Sequence, residues 1–124
     1  MPHEIVKPGL ERRDARGTFL EISNGFPAQT VISGRMKSGA VLGNHYHRRT
    51  RVFFYVSRGS ADVLTVHVET GERDAFRLEE TQGCFFEINE THAVRFVEDG
   101  EFVMLKSLPY DPADPDTFAK PVMD

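Results

Sequence analysis

Short β-rich runs, separated by glycine at regular intervals, dominate this 124-residue sequence. Regular spacing of this kind is typical of a β-sandwich or barrel. No segment carries an apolar period of 3.6 residues long enough for a major helix. We therefore predict an all-β, single-domain jelly-roll barrel with little helix, whose closure would also remove exposed strand edges. The runs expected to form strands are Thr18–Ile22, Gln29–Met36, Val52–Ser57, Ala61–Val68, Asp74–Leu78, Cys84–Ile88, His92–Val97 and Glu101–Ser107.

The predicted barrel, residues 1–124, carries a terminal segment at each end. Residues 1–16 are interpreted as an N-terminal arm that could add a strand to a second copy, so we expect a homodimer with two-fold symmetry. Residues 109–124 contain four prolines and four aspartates. Proline lacks the backbone donor that a central strand needs. We expect an extended tail that packs over the barrel, with one helical turn near Thr117–Lys120.

Charge and cysteine content exclude several classes of protein. The net charge of −4 disfavours a general nucleic-acid surface. Cys84 is the single cysteine, which excludes an intrachain disulfide and a zinc site built from several cysteines. No stretch approaches the roughly 20 apolar residues of a membrane span, and no basic segment followed by an apolar run opens the sequence. We expect a cytoplasmic protein whose partner is a small molecule, not nucleic acid or membrane.

Three histidines fall where metal or acid–base chemistry would need them. His45 and His47 are two residues apart, so both side chains lie on one face of an extended strand. His92 opens another run and shares a face with Val94 and Phe96, whose apolar side chains indicate that this face points inward. We expect the three imidazoles to converge on one interior pocket. Such a set suits zinc, copper, iron or nickel, or the histidines could act on a substrate without metal.

The glycines around the histidine pair carry a family resemblance. The sequence resembles the first motif of the cupin superfamily and matches it in every spacing. At the position of the glutamate of that motif, this sequence has Val52. The second cupin motif is matched at Gly83, with Asn89 at its proline and His92 two residues early, which implies a tighter turn. The resemblance implies a cupin-type barrel. The matching elements of the first motif are Gly39, five residues, His45-Tyr46-His47, four residues, Val52, six residues and Gly59.

Val52 changes the expected chemistry of the site. In the family the glutamate is the fourth metal ligand, so its loss removes one negative charge. Three neutral imidazoles can still bind zinc and leave one position open for water or substrate. Without the carboxylate, the site departs from the ligand set of non-haem iron oxygenases. We expect His45, His47 and His92 to hold a divalent metal (zinc, iron or nickel), with a metal-free site as the alternative.

Two further segments resemble cupin proteins of sugar-nucleotide metabolism. Asp14-Ala15-Arg16-Gly17-Thr18-Phe19 resembles the opening of cupin-fold sugar-nucleotide 3,5-epimerases. Gly43–His47 and Tyr110–Thr117 together are similar to the cupin domain of capsular-polysaccharide reductases that act on UDP-sugars. The dTDP-sugar 3,4-ketoisomerases also carry a His-x-His segment. Because these 124 residues contain no glycine-rich dinucleotide fingerprint, only the epimerase or isomerase half is expected here.

The resemblance implies removal of the proton beside the carbonyl of a nucleotide-linked 4-keto-sugar. His45 or His47 is the expected base, because imidazole titrates near neutral pH, and the remaining histidines would be ligands or electrophile. A metal-bound imidazole is not a free base, so these roles compete. Arg35 and Tyr55 are the candidates for substrate binding through phosphate and ring contacts. The alternatives are another metal-dependent small cupin enzyme (a dioxygenase, lyase or cyclase) or a non-catalytic ligand-binding cupin.

Overall fold

The structure is a computed structural model that describes residues 2–124. These residues form eleven β-strands joined by turns and loops. The strands are β1 (Leu10–Asp14), β2 (Gly17–Glu21), β3 (Thr30–Met36), β4 (Val41–Tyr46), β5 (Val52–Arg58), β6 (Ala61–His67), β7 (Arg73–Leu78), β8 (Gln82–Phe86), β9 (Glu90–Phe96), β10 (Gly100–Lys106) and β11 (Phe118–Ala119).

Two antiparallel sheets enclose one core. One sheet has the strand order β3-β10-β5-β8, the other has the order β11-β4-β9-β6-β7, and β1 and β2 form a separate hairpin. Phe54 and Phe86 of the first sheet and Phe96 of the second belong to a single buried cluster. The all-β jelly-roll barrel predicted from the sequence is confirmed.

The inward-facing side chains of the central strands build this core. Val52, Phe54 and Val56 of β5 are 1%, 0% and 0% exposed, because successive side chains of a strand point to opposite faces. On β9 the same alternation buries Val94 and Phe96. The inner face of each sheet can therefore be read from the sequence once the strands are placed.

The eight predicted strands are all present, with ends that differ by at most two residues. The eight-run prediction omitted β1, β4 and β11. The helical turn expected near Thr117–Lys120 is wrong, because Phe118 and Ala119 pair with Tyr46 and His45 at the edge of β4. The Lys120 amide also donates to the Asn44 carbonyl at 2.9 Å. The backbone of this part of the tail therefore forms its hydrogen bonds with β4 and not within a helix.

The described residues contain no helix that is both long and apolar enough to cross a membrane.

Candidate functional site

A β-bulge brings His45 directly opposite His92. The pairing of β4 with β9 passes from Gly43 and Ala93 to His45 and His92, so Asn44 is the extra residue. Gly43 and Asn44 both have positive φ angles, 90° and 61°. A Cβ atom at Gly43 would lie 2.5 Å from the carbonyl oxygen of His92, so only glycine allows the two strands to approach this closely.

The three predicted histidines converge inside the barrel, as expected. The ring centroids are 5.0 Å apart for His45 and His47, 4.9 Å for His45 and His92, and 5.4 Å for His47 and His92. One ring nitrogen from each residue lies within 4.8 Å of the other two. His45 and His92 come from the paired strands β4 and β9, and His47 directly follows β4. Residues far apart in sequence therefore form one cluster.

The C-terminal tail fixes the orientation of His47. The Nδ1–H of His47 donates to the carbonyl oxygen of Asp116 at 2.7 Å. Because a carbonyl can only accept, this bond places the proton on Nδ1 and leaves the Nε2 lone pair free. Nε2 is buried and has no hydrogen-bond partner. A carbonyl that orients an imidazole in this way is the usual arrangement around a metal-binding histidine.

The Asp116 carboxylate also organises the turn that follows His47. It accepts from the amides of Arg48, Arg49 and Thr50 and from the Thr50 hydroxyl, each at 2.9 Å. Burial on its own raises the pKa of Asp116, but these hydrogen bonds outweigh burial and hold the pKa below its ordinary value. The sequence analysis missed Asp116. Its one signal was the resemblance of Tyr110–Thr117 to the reductase cupin domain.

Packing and a backbone contact hold His92. Its ring stacks on Phe86 with a centroid separation of 4.2 Å and an interplanar angle of 3°. Its Nδ1–H donates to the carbonyl oxygen of Glu90 at 3.3 Å, which leaves Nε2 as the free nitrogen. His45 differs from the other two, because its ring nitrogens have no hydrogen-bond partner among residues 2–124. His45 is also half-buried, whereas His47 and His92 are buried.

The environment keeps all three imidazoles neutral. Burial lowers the pKa of His45 to about 4, with smaller contributions from the charges of His47 and Lys106. Burial also lowers the pKa of His47, against the opposing effect of its bond to Asp116. The pKa of His92 lies well below its ordinary value, again mainly because of burial. A neutral imidazole offers the lone pair that a metal ion or a proton requires.

The donor set fits a divalent metal ion. Three neutral imidazoles with ring nitrogens within 4.8 Å of one another are a suitable ligand set, and the unpartnered Nε2 of His47 lies among them. No carboxylate joins the set from β5, because Val52 stands at the position of the cupin glutamate and is 1% exposed in the core.

The structure does not bring Arg35 and Tyr55 to the histidines. Arg35 lies on the outer face of β3 with its side chain 88% exposed, 3.2 Å from Glu101. Tyr55 lies on the outer face of β5, where it lines a groove of about 420 Å³ with Leu20 and Leu105. Alternation along β3 and β5 places both side chains outside the barrel.

A cleft of about 410 Å³ lies at the same end of the barrel as the histidines. Thr65, which faces His92 in the pairing of β6 with β9, lines this cleft. Arg51 and Arg73 contribute positive charge to its walls. Five acidic residues also line it, and the Arg51 side chain pairs with Glu87 at 2.8 Å. The cleft therefore joins a surface of mixed charge to the neighbourhood of the histidine cluster.

The fold is similar to those of several solved structures. The capsular polysaccharide assembling protein CapF from Staphylococcus aureus is 25% identical with a TM-score of 0.71, over 91% of this chain and 34% of CapF. The chain therefore spans about a third of the length of CapF. No curated protein matches the sequence.

Two neighbours below 25% identity support the fold. ChmJ, a 3'-monoepimerase from Streptomyces bikiniensis, has a TM-score of 0.79 at 20% identity over 94% of this chain and 68% of ChmJ. WlaRB, a TDP-quinovose 3,4-ketoisomerase from Campylobacter jejuni, has a TM-score of 0.79 at 18% identity over 95% of this chain and 92% of WlaRB. The resemblance in fold to cupin-type sugar-nucleotide epimerases and ketoisomerases is confirmed.

The family comparison covers most of the sequence. The family model described as the polysaccharide biosynthesis C-terminal domain matches residues 12–118. The match includes the three histidines, Asp116 and all strands from β2 to β10. The chain therefore belongs to the polysaccharide biosynthesis C-terminal domain family.

Proposed function

We propose that the protein is an epimerase or ketoisomerase that acts on a nucleotide-linked 4-keto-sugar. The observation that carries this proposal is the convergence of three neutral imidazoles, His45, His47 and His92, at one end of the barrel. It is supported by the fold shared with a 3'-monoepimerase and a 3,4-ketoisomerase.

The reaction begins at the carbon next to the keto group. A base removes the proton from that carbon, and the electrons of the C–H bond move to the carbonyl oxygen, which gives an enediolate. Return of a proton to the same carbon from the opposite face gives the epimer. Ketoisomerisation instead needs a proton to move between the two oxygens of the enediolate and the other carbon to be protonated. Both outcomes need one group that accepts a proton and one that stabilises negative charge, and epimerisation also needs a proton donor, such as solvent, on the opposite face.

His45 is the best placed of the three to act as the base, although its pKa of about 4 makes it a weaker base than an ordinary imidazole. The Nδ1 atoms of His47 and His92 each donate to a backbone carbonyl, whereas the ring nitrogens of His45 are not engaged. His45 is also the least buried of the three, so a substrate can approach its ring. His47 and His92 then act as fixed groups that face the reacting carbon or its oxygen.

A divalent ion held by the three histidines would polarise the keto oxygen as a Lewis acid. His45 cannot be a metal ligand and a free base in the same step, so the metal content of the active protein decides between these two roles. The nucleotide diphosphate would lie in the cleft beside the cluster, where Arg73 offers a phosphate contact and Arg51 would have to exchange its Glu87 partner for phosphate.

Deuterium incorporation tests the proposal. The protein would be incubated in heavy water with a panel of dTDP- and UDP-linked 4-keto-sugars, and proton NMR would follow the carbons beside the keto group. We expect deuterium to be incorporated at one of these carbons. In His45→Ala the rate of incorporation should fall by roughly 100-fold or more. Lys37→Met is the control, because Lys37 is exposed and lies outside both the cluster and the cleft, whereas His67, a histidine outside the cluster, lines the cleft. Absence of incorporation across the panel by the wild-type protein would overturn the proposal.

A further inference from the structure

Lys106 is the last residue of β10, and its side chain lies on the inner face of the barrel. On β10, Phe102 is part of the core and Met104 packs against it, so alternation places Lys106 on the same face. The strand pairings agree, because Lys106 faces Val52 of β5, and Val52 is 1% exposed. Lys106 therefore points towards the interior and not towards the solvent around the barrel.

The pairing of strands also places Lys106 at the histidine end. Val52 faces Phe86 across β5 and β8, and the Phe86 ring stacks on His92 at 4.2 Å. Adjacent strands are about 4.8 Å apart, so Lys106 starts two strand spacings from Phe86. Its positive charge contributes to lowering the pKa of His45, His47 and His92 alike. The ammonium group and the three imidazoles thus share one interior region.

Lys106 has no carboxylate partner among residues 2–124. Burial alone lowers its pKa, with no hydrogen bond or ion pair acting on it. Lys106 is half-buried, and partly removing an unpaired ammonium group from water costs free energy. The arrangement is therefore unfavourable for folding, and such an arrangement is typical of a functional group whose partner is a ligand.

The charge of the interior is reversed relative to the cupin motif. That motif places a glutamate at the position of Val52, whereas here Val52 is apolar and its direct neighbour across the strands is a lysine. The region that would carry a negative charge carries a positive one. An interior of this kind favours a ligand that is anionic or becomes anionic during reaction.

We propose that Lys106 is a catalytic residue whose ammonium group donates a hydrogen bond to the keto oxygen of the substrate and stabilises the negative charge of the enediolate. This role rests on the proposed function, because it requires a reaction that passes through an oxyanion. When His45 takes the proton, the electrons of the substrate C–H bond move to the carbonyl oxygen. This is the oxygen that Lys106 contacts. Lys106 keeps its own proton throughout, and the oxygen returns to a carbonyl or hydroxyl when carbon is reprotonated.

Kinetics of Lys106→Met, Lys106→Arg and the control Lys37→Met would test this role. Methionine keeps the length of the stem and removes the charge, and Lys37 is an exposed lysine outside the site. We expect Lys106→Met to lower kcat for deuterium exchange by about 100-fold or more, the usual effect of losing one oxyanion donor. KM should change far less, Lys106→Arg should recover part of kcat, and Lys37→Met should match the wild type.

Thermal unfolding separates catalysis from a structural role. Because the unpaired ammonium group opposes folding, Lys106→Met should unfold at the same or a higher Tm than the wild type. A lower Tm combined with parallel losses of activity in the methionine and arginine variants would contradict the proposal. A Lys106→Met variant with wild-type kcat would overturn the role of Lys106 alone. A wild-type protein inactive on the whole panel would instead overturn the proposed function, and the role of Lys106 with it.

Discussion

Asp116 connects the tail to the histidine cluster through two different groups. Its carbonyl oxygen accepts from the His47 ring, and its carboxylate accepts four hydrogen bonds from Arg48, Arg49 and Thr50. Its φ angle of 51° lies in the left-handed region, which aspartate tolerates better than most residues. One residue of the tail therefore sets both the turn after His47 and the direction of its ring.

Replacing Asp116 by alanine should destabilise the fold. Loss of the buried acceptor leaves three amides and one hydroxyl without a partner, at a cost of about 1–3 kcal/mol at pH 7. Because the pKa of Asp116 is lowered in the folded state, its contribution is present above the ordinary value of 3.8 and disappears as the pH falls through the lowered value. Urea unfolding of the variant and wild type at pH 7 and in acid would measure both effects.

Asp114 supplies the matched control for this variant. Its side chain is 63% exposed and pairs with Arg49 on the surface, so Asp114→Ala should change stability by less than about 0.5 kcal/mol. Equal losses in the two variants, or a difference that persists unchanged in acid, would show that the Asp116 carboxylate does not stabilise the turn.

Alternation and spacing were sufficient to predict that the three histidines converge. They did not predict the other residues near the cluster, Lys106 and Asp116. His92 could be assigned to the interior because Val94 and Phe96 share its face. Lys106 could not be assigned to the interior from the sequence, because a lysine at the end of a strand is normally solvated. Only its pairing with Val52 places its side chain on the inner face. Asp116 was equally hidden, since an aspartate in a proline-rich tail is typical of an exposed turn.

At the level of elements, the bulge in β4 decides which residues face each other. Without the extra residue Asn44, the register would place His45 against a different residue of β9, and its side chain on the opposite face. The Asn44 side chain also holds the tail, since its Oδ1 accepts from the amides of Val122 and Met123 at 2.9 and 3.0 Å. The bulge thus joins β4, β9 and the tail.

Gly43→Ala should therefore lower the free energy of unfolding more than alanine does at another glycine with a positive φ angle. The added Cβ meets the His92 carbonyl oxygen at 2.5 Å, so we expect a loss of about 3 kcal/mol from combined backbone strain and overlap. Gly71 has a φ of 74° but nothing within 4 Å of an added Cβ, and Gly71→Ala should cost only about 1–2 kcal/mol. Chemical denaturation of both variants measures the difference, and equal losses would contradict this account of the bulge.

The sequence predicted the long strands well because each is a β-rich run with glycine at or near its ends. It did not predict the bulge, because its two positive φ angles follow from the pairing with β9 and not from a local turn motif. It did not predict β11 because a two-residue strand has no period of its own. Phe118 pairs there only because Tyr46 offers a stacking partner at 5.3 Å and β4 offers a free edge.

At the scale of the whole molecule, the buried or partly buried titratable groups of the proposed site lie at one end of the two sheets. Neutral imidazoles and an unpaired ammonium group lie at this end, beside a cleft lined by five acidic residues and two arginines. The opposite end of β5 and β10 carries ordinary surface ion pairs, such as Arg58 with Glu101. In a protein of net charge −4, Lys106 thus provides a local positive charge beside the three imidazoles, which suits the oxyanion of the proposed reaction.

The account rests on a single shared site formed by His45, His47 and His92. Equilibrium dialysis against Zn²⁺ at neutral pH, followed by metal analysis, tests it most directly in the wild type, in the three alanine variants and in His67→Asn. We predict one zinc ion per chain in the wild type and in His67→Asn, and a loss of at least about tenfold in affinity for each alanine variant. Unchanged zinc binding in any one of the three alanine variants would contradict the shared site.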